Sequence, residues 1–196
     1  FCQFVQPWIF LEKAVRKDNS LPRSHLLLQK IKSIQKRKLK MEAGKRSINE
    51  IFNGNKILEI PFFQRSYVWD ESQWERFVAD MEFVSQNNKP YFLGSVILKQ
   101  QPTSSGQSIG DQRTVIDGQQ RLTTLNLFFK VLSLKLGNSY LNDIFRLPMR
   151  NGQIALLHNR NDVKAFNRVM DLNDLDDIQG DDNITRAYKF FKDQVD

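Results

Sequence analysis

Apolar positions recur along the chain in short periodic groups separated by polar turns. Ser47-Ile48-Asn49-Glu50 reads as a capping box and predicts a helix over about 48–53, with Gly54 placed to end it. Ile57-Leu58-Glu59-Ile60 reads as a strand that Pro61 closes. Asp70 suits the cap of a second helix, on which Trp74, Phe77, Val78, Met81 and Val84 fall on one face. The apolar run Tyr91–Lys99 predicts a strand central in a sheet, and the Ser/Gly/Gln-rich residues 101–111 a solvated loop.

Arg113–Ile116 reads as a short strand that turns at Asp117-Gly118 into the longest helix, about 119–136. Leu122, Leu125, Phe129, Leu132 and Leu136 give this helix a stripe for burial. Asn151-Gly152, between Ile144–Met149 and Gln153–Leu157, signals a hairpin. Two more helices are predicted, about 162–170 and 184–195. Helices alternating with few strands predict an α+β fold.

Composition narrows the picture. A chain of 196 residues, 40% hydrophobic, can bury one sizeable core. No apolar run nears the roughly 18 residues a membrane span needs. The single Cys2 excludes an intramolecular disulfide. A cytoplasmic location without membrane partners is the expectation. The net charge of +7 is unevenly placed. Residues 1–40 hold ten Lys/Arg against two Asp/Glu, while residues 41–196 hold nineteen against twenty. The basic signal therefore belongs to residues 1–40, read either as a basic helix for nucleic acid or a partner, or as sequence upstream of a natural start at Met41. The second is the expectation, leaving 41–196 as the domain and as an N-terminal fragment of a longer protein.

Two polar boxes carry the candidate chemistry. Asp117-Gly118-Gln119-Gln120-Arg121 opens a helix directly after a strand, where free N–H groups and the positive dipole end suit a phosphate. Gly118 allows close approach of the backbone, Gln119 and Gln120 add amide donors, and Arg121 adds a bidentate fork. Asp117 could orient water, hold a metal ion with the phosphates, or cap the helix and pair with Arg121. The second box runs from Ile60 to Trp69. Gln64 and Arg65 follow a strand end and suit a second phosphate or base contact. Tyr67 and Trp69 could stack on a base, although core packing is the expectation for both.

Ile60-Pro61-Phe62-Phe63-Gln64-Arg65-Ser66-Tyr67-Val68-Trp69, followed by Val115-Ile116-Asp117-Gly118-Gln119-Gln120-Arg121-Leu122-Thr123-Thr124-Leu125, resembles the N-terminal domain of GmrSD-type restriction endonucleases. The resemblance covers roughly residues 44–195. It implies a ParB/sulfiredoxin-like α+β fold whose boxes line a nucleotide pocket, serving modification-dependent restriction and phage defence. It further implies nucleoside triphosphate hydrolysis with Asp117, Gly118, Gln119, Gln120 and Arg121 at the nucleotide and Gln64 and Arg65 facing the same pocket. Mg²⁺ is expected on general grounds of phosphoryl transfer. Family members often continue into a helical region and a C-terminal HNH-type nuclease domain. This chain has only His25 and His158, in no His-Asn-His arrangement, so DNA cleavage would rest with such a domain elsewhere.

The function expected is nucleotide hydrolysis that regulates restriction. The alternative is a non-catalytic sensor of nucleotide or modified DNA that gates the nuclease domain. Other signals are weak. The acidic run Asp171–Asp177 lacks an EF-hand's oxygen ligand at Leu175, and reads as a solvated loop. His158 with Asp162 reads as structural, and Ser47 as a cap.

Overall fold

A computed structural model describes residues 43–52, 56–87, 91–101 and 112–195. The expectations for residues 1–40, for Gly54 and for the loop 102–111 fall outside them. All elements named below belong to one unit beginning at Arg46.

Helix α1 (Ile48–Phe52) is short, so its start matters. Ser47 N donates to Glu50 Oε2 (2.7 Å) and Glu50 N to Ser47 Oγ (3.2 Å), the reciprocal pair of a capping box. Strand β1 (Ile57–Glu59) follows, then α2 (Glu71–Asn87), whose start is capped by Ser72 N donating to Asp70 Oδ1 at 3.1 Å. After β2 (Ile97–Gln100) and β3 (Gln112–Asp117) comes the long α3 (Gln119–Leu136). Helix α4 (Ser139–Asp143) leads to a hairpin of β4 (Arg146–Leu147) and β5 (Gln153–Ile154). Its turn places Asn151 at φ 52° and Gly152 at φ 72°, the left-handed conformation these two residue types tolerate best. Strand β6 (Leu156–Leu157), α5 (Val163–Met170) and α6 (Asn183–Gln194) complete the order.

The main sheet runs β2-β3-β1-β6, with β1 parallel to both β3 and β6 and β2 antiparallel to β3. Leu58, at its middle, faces Arg113 on one side and Leu156 on the other and is fully buried. Among the described residues, six α-helices with this small mixed sheet make the α+β fold expected.

Around α3 pack α4, α5 and α6. Phe77 of α2 meets Phe128 of α3 at 5.3 Å between ring centroids, and Phe191 of α6 joins Phe128 at 5.5 Å. Each such buried ring stabilises the fold by roughly 1.5–3 kcal/mol relative to exposure. Burial extends all round α3 rather than along one stripe. Its buried Thr123 and Thr124 hydroxyls and the Asn126 Nδ2 donate to the carbonyls of Gln119, Gln120 and Leu122 one turn back, while Asn126 Oδ1 is buried without a partner. The predicted stripe overreaches at its end, where Leu136 is 67% exposed beside the helix-ending Gly137.

The run 91–99 departs from expectation. Only Ile97 onward forms a ladder, and β2 lies at the sheet edge with Ile97 exposed. Residues 91–96 take no regular structure, because Gly94 turns there at φ 124° and the chain packs against the start of α3.

Candidate functional site

Strand β3 delivers Asp117 to the start of α3, and Gly118 makes the turn at φ 95°. Glycine is required there twice over. The positive φ disfavours other residues, and a Cβ would stand 2.9 Å from Val96 Cγ2 and 3.1 Å from the Ser95 carbonyl oxygen. No side chain caps this helix start. The cap role considered for Asp117 is therefore not taken, and the first-turn N–H groups lack an intrahelical partner.

Arg121 stands one turn on. Its Nη2 donates to the Ser95 carbonyl and lies 3.8 Å from Asp117 Oδ2, an ion pair too long for a hydrogen bond. Its Nε is buried without a hydrogen-bond partner. Gly94 makes room for it, since a Cβ there would lie 2.9 Å from Arg121 Nε. Gly94 and Ser95 thus hold the guanidinium in place. The sequence reading missed both, having assigned them to a strand; the glycine inside an apolar run was the available signal.

The first box is fastened to the second by amides. Gln64 Nε2 donates to the carbonyls of Val115 (2.9 Å) and Ile116 (3.0 Å), the end of β3. Gln119 Nε2 donates to the Arg65 carbonyl at 2.7 Å. Gln120 clamps twice, donating to the Ser66 carbonyl (3.1 Å) and accepting from Val68 N (2.9 Å). These amides engage backbone, which makes them the link between the boxes. Gln119 keeps a buried Oε1 with no partner.

Together Gln64, Arg65, Trp69, Ile116, Asp117, Gly118, Gln119, Gln120 and Arg121 line one cleft of about 330 Å³. All seven residues singled out from the two boxes are among them. Arg65 is exposed, and its guanidinium has no hydrogen-bond or ion-pair partner among the described residues. Tyr67 does not reach the cleft. It is buried core, its hydroxyl shared with Thr124 (2.7 Å) and Trp74 Nε1 (2.8 Å), and burial pushes its ionisation far above the ordinary phenol range. Trp69 lines the cleft, half-buried.

Behind the cleft, Thr123 Oγ1 gives its proton to the Gln119 carbonyl and sits 3.1 Å from His158 Nε2. On the other side of the ring Nδ1 is buried, with no partner within hydrogen-bond distance. Burial holds the His158 imidazole below its ordinary value despite Asp162 Oδ2 at 3.8 Å, whose carboxylate instead accepts from Tyr67 N at 2.8 Å. His158 is a structural support.

Among the described residues no three His, Cys, Asp or Glu side chains cluster to hold a metal by themselves. Asp117 supplies the cleft's carboxylate, and one carboxylate with substrate phosphates and water is a donor set that suits Mg²⁺. No described helix is long and apolar enough to cross a membrane.

No curated protein matches the chain. The family model for the N-terminal domain of GmrSD restriction endonucleases matches residues 48–195, and these span α1 to the end of α6. With both boxes meeting in one cleft inside that span, the chain belongs to the GmrSD restriction endonuclease N-terminal domain family, and its role lies in restriction.

Proposed function

We propose that the cleft binds a nucleoside triphosphate and hydrolyses it, and that this controls DNA restriction by the full-length protein. One observation carries the reading: an uncapped helix start, Arg121 and the unpartnered Arg65 converge on a single open cleft. An open helix start and two cations, one of them without a partner among the described residues and the other held to Asp117 only across 3.8 Å, are a receptor for phosphate oxygens. In this reading the first-turn N–H groups and Arg121 stabilise charge on the transferred phosphoryl group. Arg65 grips a second phosphate, and Asp117, the carboxylate in the cleft lining, orients the attacking water. Mg²⁺, held by Asp117 and the phosphates, would neutralise charge between phosphoryl groups.

The Gln119 and Gln120 clamps favour a second reading as well. They join the phosphate end of the cleft to the backbone of 65–68, so occupancy can shift that loop without turnover. This is the behaviour of a sensor of nucleotide or modified DNA that gates a C-terminal nuclease domain. Phosphate release from ATP and GTP with Mg²⁺ separates the two. Turnover lost in Asp117→Ala supports hydrolysis, whereas saturable binding with no turnover in the unaltered chain supports the sensor.

A further inference from the structure

At the rim of the cleft, before Gln64, the chain makes a turn closed by Gln64 N donating to the Pro61 carbonyl at 3.0 Å. Its two central residues are Phe62 and Phe63, 85% and 70% exposed, with rings edge to face at 5.6 Å between centroids. Turn centres favour Gly, Asn, Asp, Ser or Pro, so nothing in the turn's own geometry calls for two phenylalanines. Nor do they fill a core.

The segment just after the turn is nonetheless held hard. Besides the glutamine clamps, Asn159 Nδ2 donates to the Gln64 carbonyl (3.0 Å) and Asn161 Nδ2 reaches Ser66 Oγ (3.3 Å). Asn183 Nδ2 donates to the Tyr67 carbonyl (3.3 Å). Between the two asparagines stands Arg160, exposed and, like Arg65, without a partner among the described residues. Two exposed aromatic faces, with an exposed arginine on the segment that is hydrogen-bonded to the residues just after them, are complementary to a base and an adjoining phosphate.

We propose that the Phe62–Phe63 turn is a DNA contact that receives an unstacked base against its rings, with Arg160 on an adjoining phosphate. The rigidly pinned backbone keeps the rings from folding inward, which lowers the ordering cost of stacking. This contact stands apart from nucleotide hydrolysis, because neither ring belongs to the cleft lining.

The test compares two single strands of equal length, one with bases and one abasic, binding the 196-residue chain at about 0.2 M salt to suppress purely ionic attraction. A duplex carrying one unpaired base forms a third arm. Anisotropy should show the unaltered chain preferring base-bearing over abasic strand by at least about tenfold. Preference for the duplex with the unpaired base over a perfect duplex supports an extruded base as the source. The variant Phe62→Ala/Phe63→Ala should keep its Tm and lose the preference, and Arg160→Ala should weaken both strands alike. Equal binding of the two strands by the unaltered chain, or a preference that survives in the double variant, overturns the proposal. So does a dimer of the unaltered chain, by sedimentation, that the double variant dissolves, since the rings would then serve self-association.

Discussion

Gly94→Ala separates Arg121's function from its charge. Gly94 sits at φ 124°, and an added Cβ would come within 2.9 Å of Arg121 Nε and 3.0 Å of Cδ. Gly137, at the C-terminus of α3, also has positive φ (58°), yet a Cβ there meets nothing within 4 Å. Both substitutions carry backbone strain of roughly 1–3 kcal/mol. For a domain of this size each lowers Tm by roughly 2–4 °C per kcal/mol. They differ in what gives way. At Gly94 the neighbour is a long side chain, so the guanidinium swings off the Ser95 carbonyl and out of its phosphate-gripping position. Titration calorimetry with a nucleoside triphosphate should show Gly94→Ala binding at least about tenfold more weakly, or roughly 1.4 kcal/mol, with Gly137→Ala unchanged. Equal affinities in two folded variants would refute the reasoning that Gly94 places Arg121.

Other outcomes follow from the same geometry. Gln120→Ala leaves the Ser66 carbonyl and Val68 N–H without their partner and should cost about 1–3 kcal/mol in urea unfolding. It should also loosen 65–68, read as faster amide exchange there. Leu127→Ala, at a fully buried position of α3, should cost about 2–5 kcal/mol without altering nucleotide affinity in the folded fraction. His158 gives a pH signature. Its folded pKa lies below the ordinary 6.5, so the unfolded chain binds the proton more readily. Its contribution is complete above about pH 6.5 and is lost as pH falls from there toward the folded value. Thermal melts should therefore fall more steeply on acidification in the unaltered chain than in His158→Gln.

What the sequence made legible was what local rules govern. The capping box at Ser47–Glu50, the Asp70 cap and the span of α3 depend on neighbours three or four residues apart, and the structure has them there. The meeting of Arg65 with Asp117 and Arg121 in one cleft was anticipated from two boxes that each follow a strand. The glutamine clamps were not legible. An amide that reaches a backbone carbonyl 54 residues away leaves no periodic trace. The apolar run at 91–99 misled for a related reason. Apolar residues can line a cleft or an edge as readily as a core, and only Gly94 hinted that the backbone must turn there. Polar residues on α3 hid the extent of its burial, since Thr123, Thr124 and Asn126 turn their donors onto carbonyls of their own helix.

The central claim is that the start of α3 holds a phosphate through Arg121. If Arg121 serves only its local contacts, the 3.8 Å pair with Asp117 and the hydrogen bond to the Ser95 carbonyl, replacing it should cost stability by about 1–3 kcal/mol and leave nucleotide binding untouched. The decisive measurement is nucleoside triphosphate affinity and phosphate release in the unaltered chain, Arg121→Ala and Arg121→Lys, each shown to be folded. The account predicts a Tm lowered by no more than those local contacts explain, at least about a tenfold loss of affinity or turnover in Arg121→Ala, and little rescue by lysine, whose point charge cannot reproduce the fork. Unchanged binding and hydrolysis in a folded Arg121→Ala protein would contradict it.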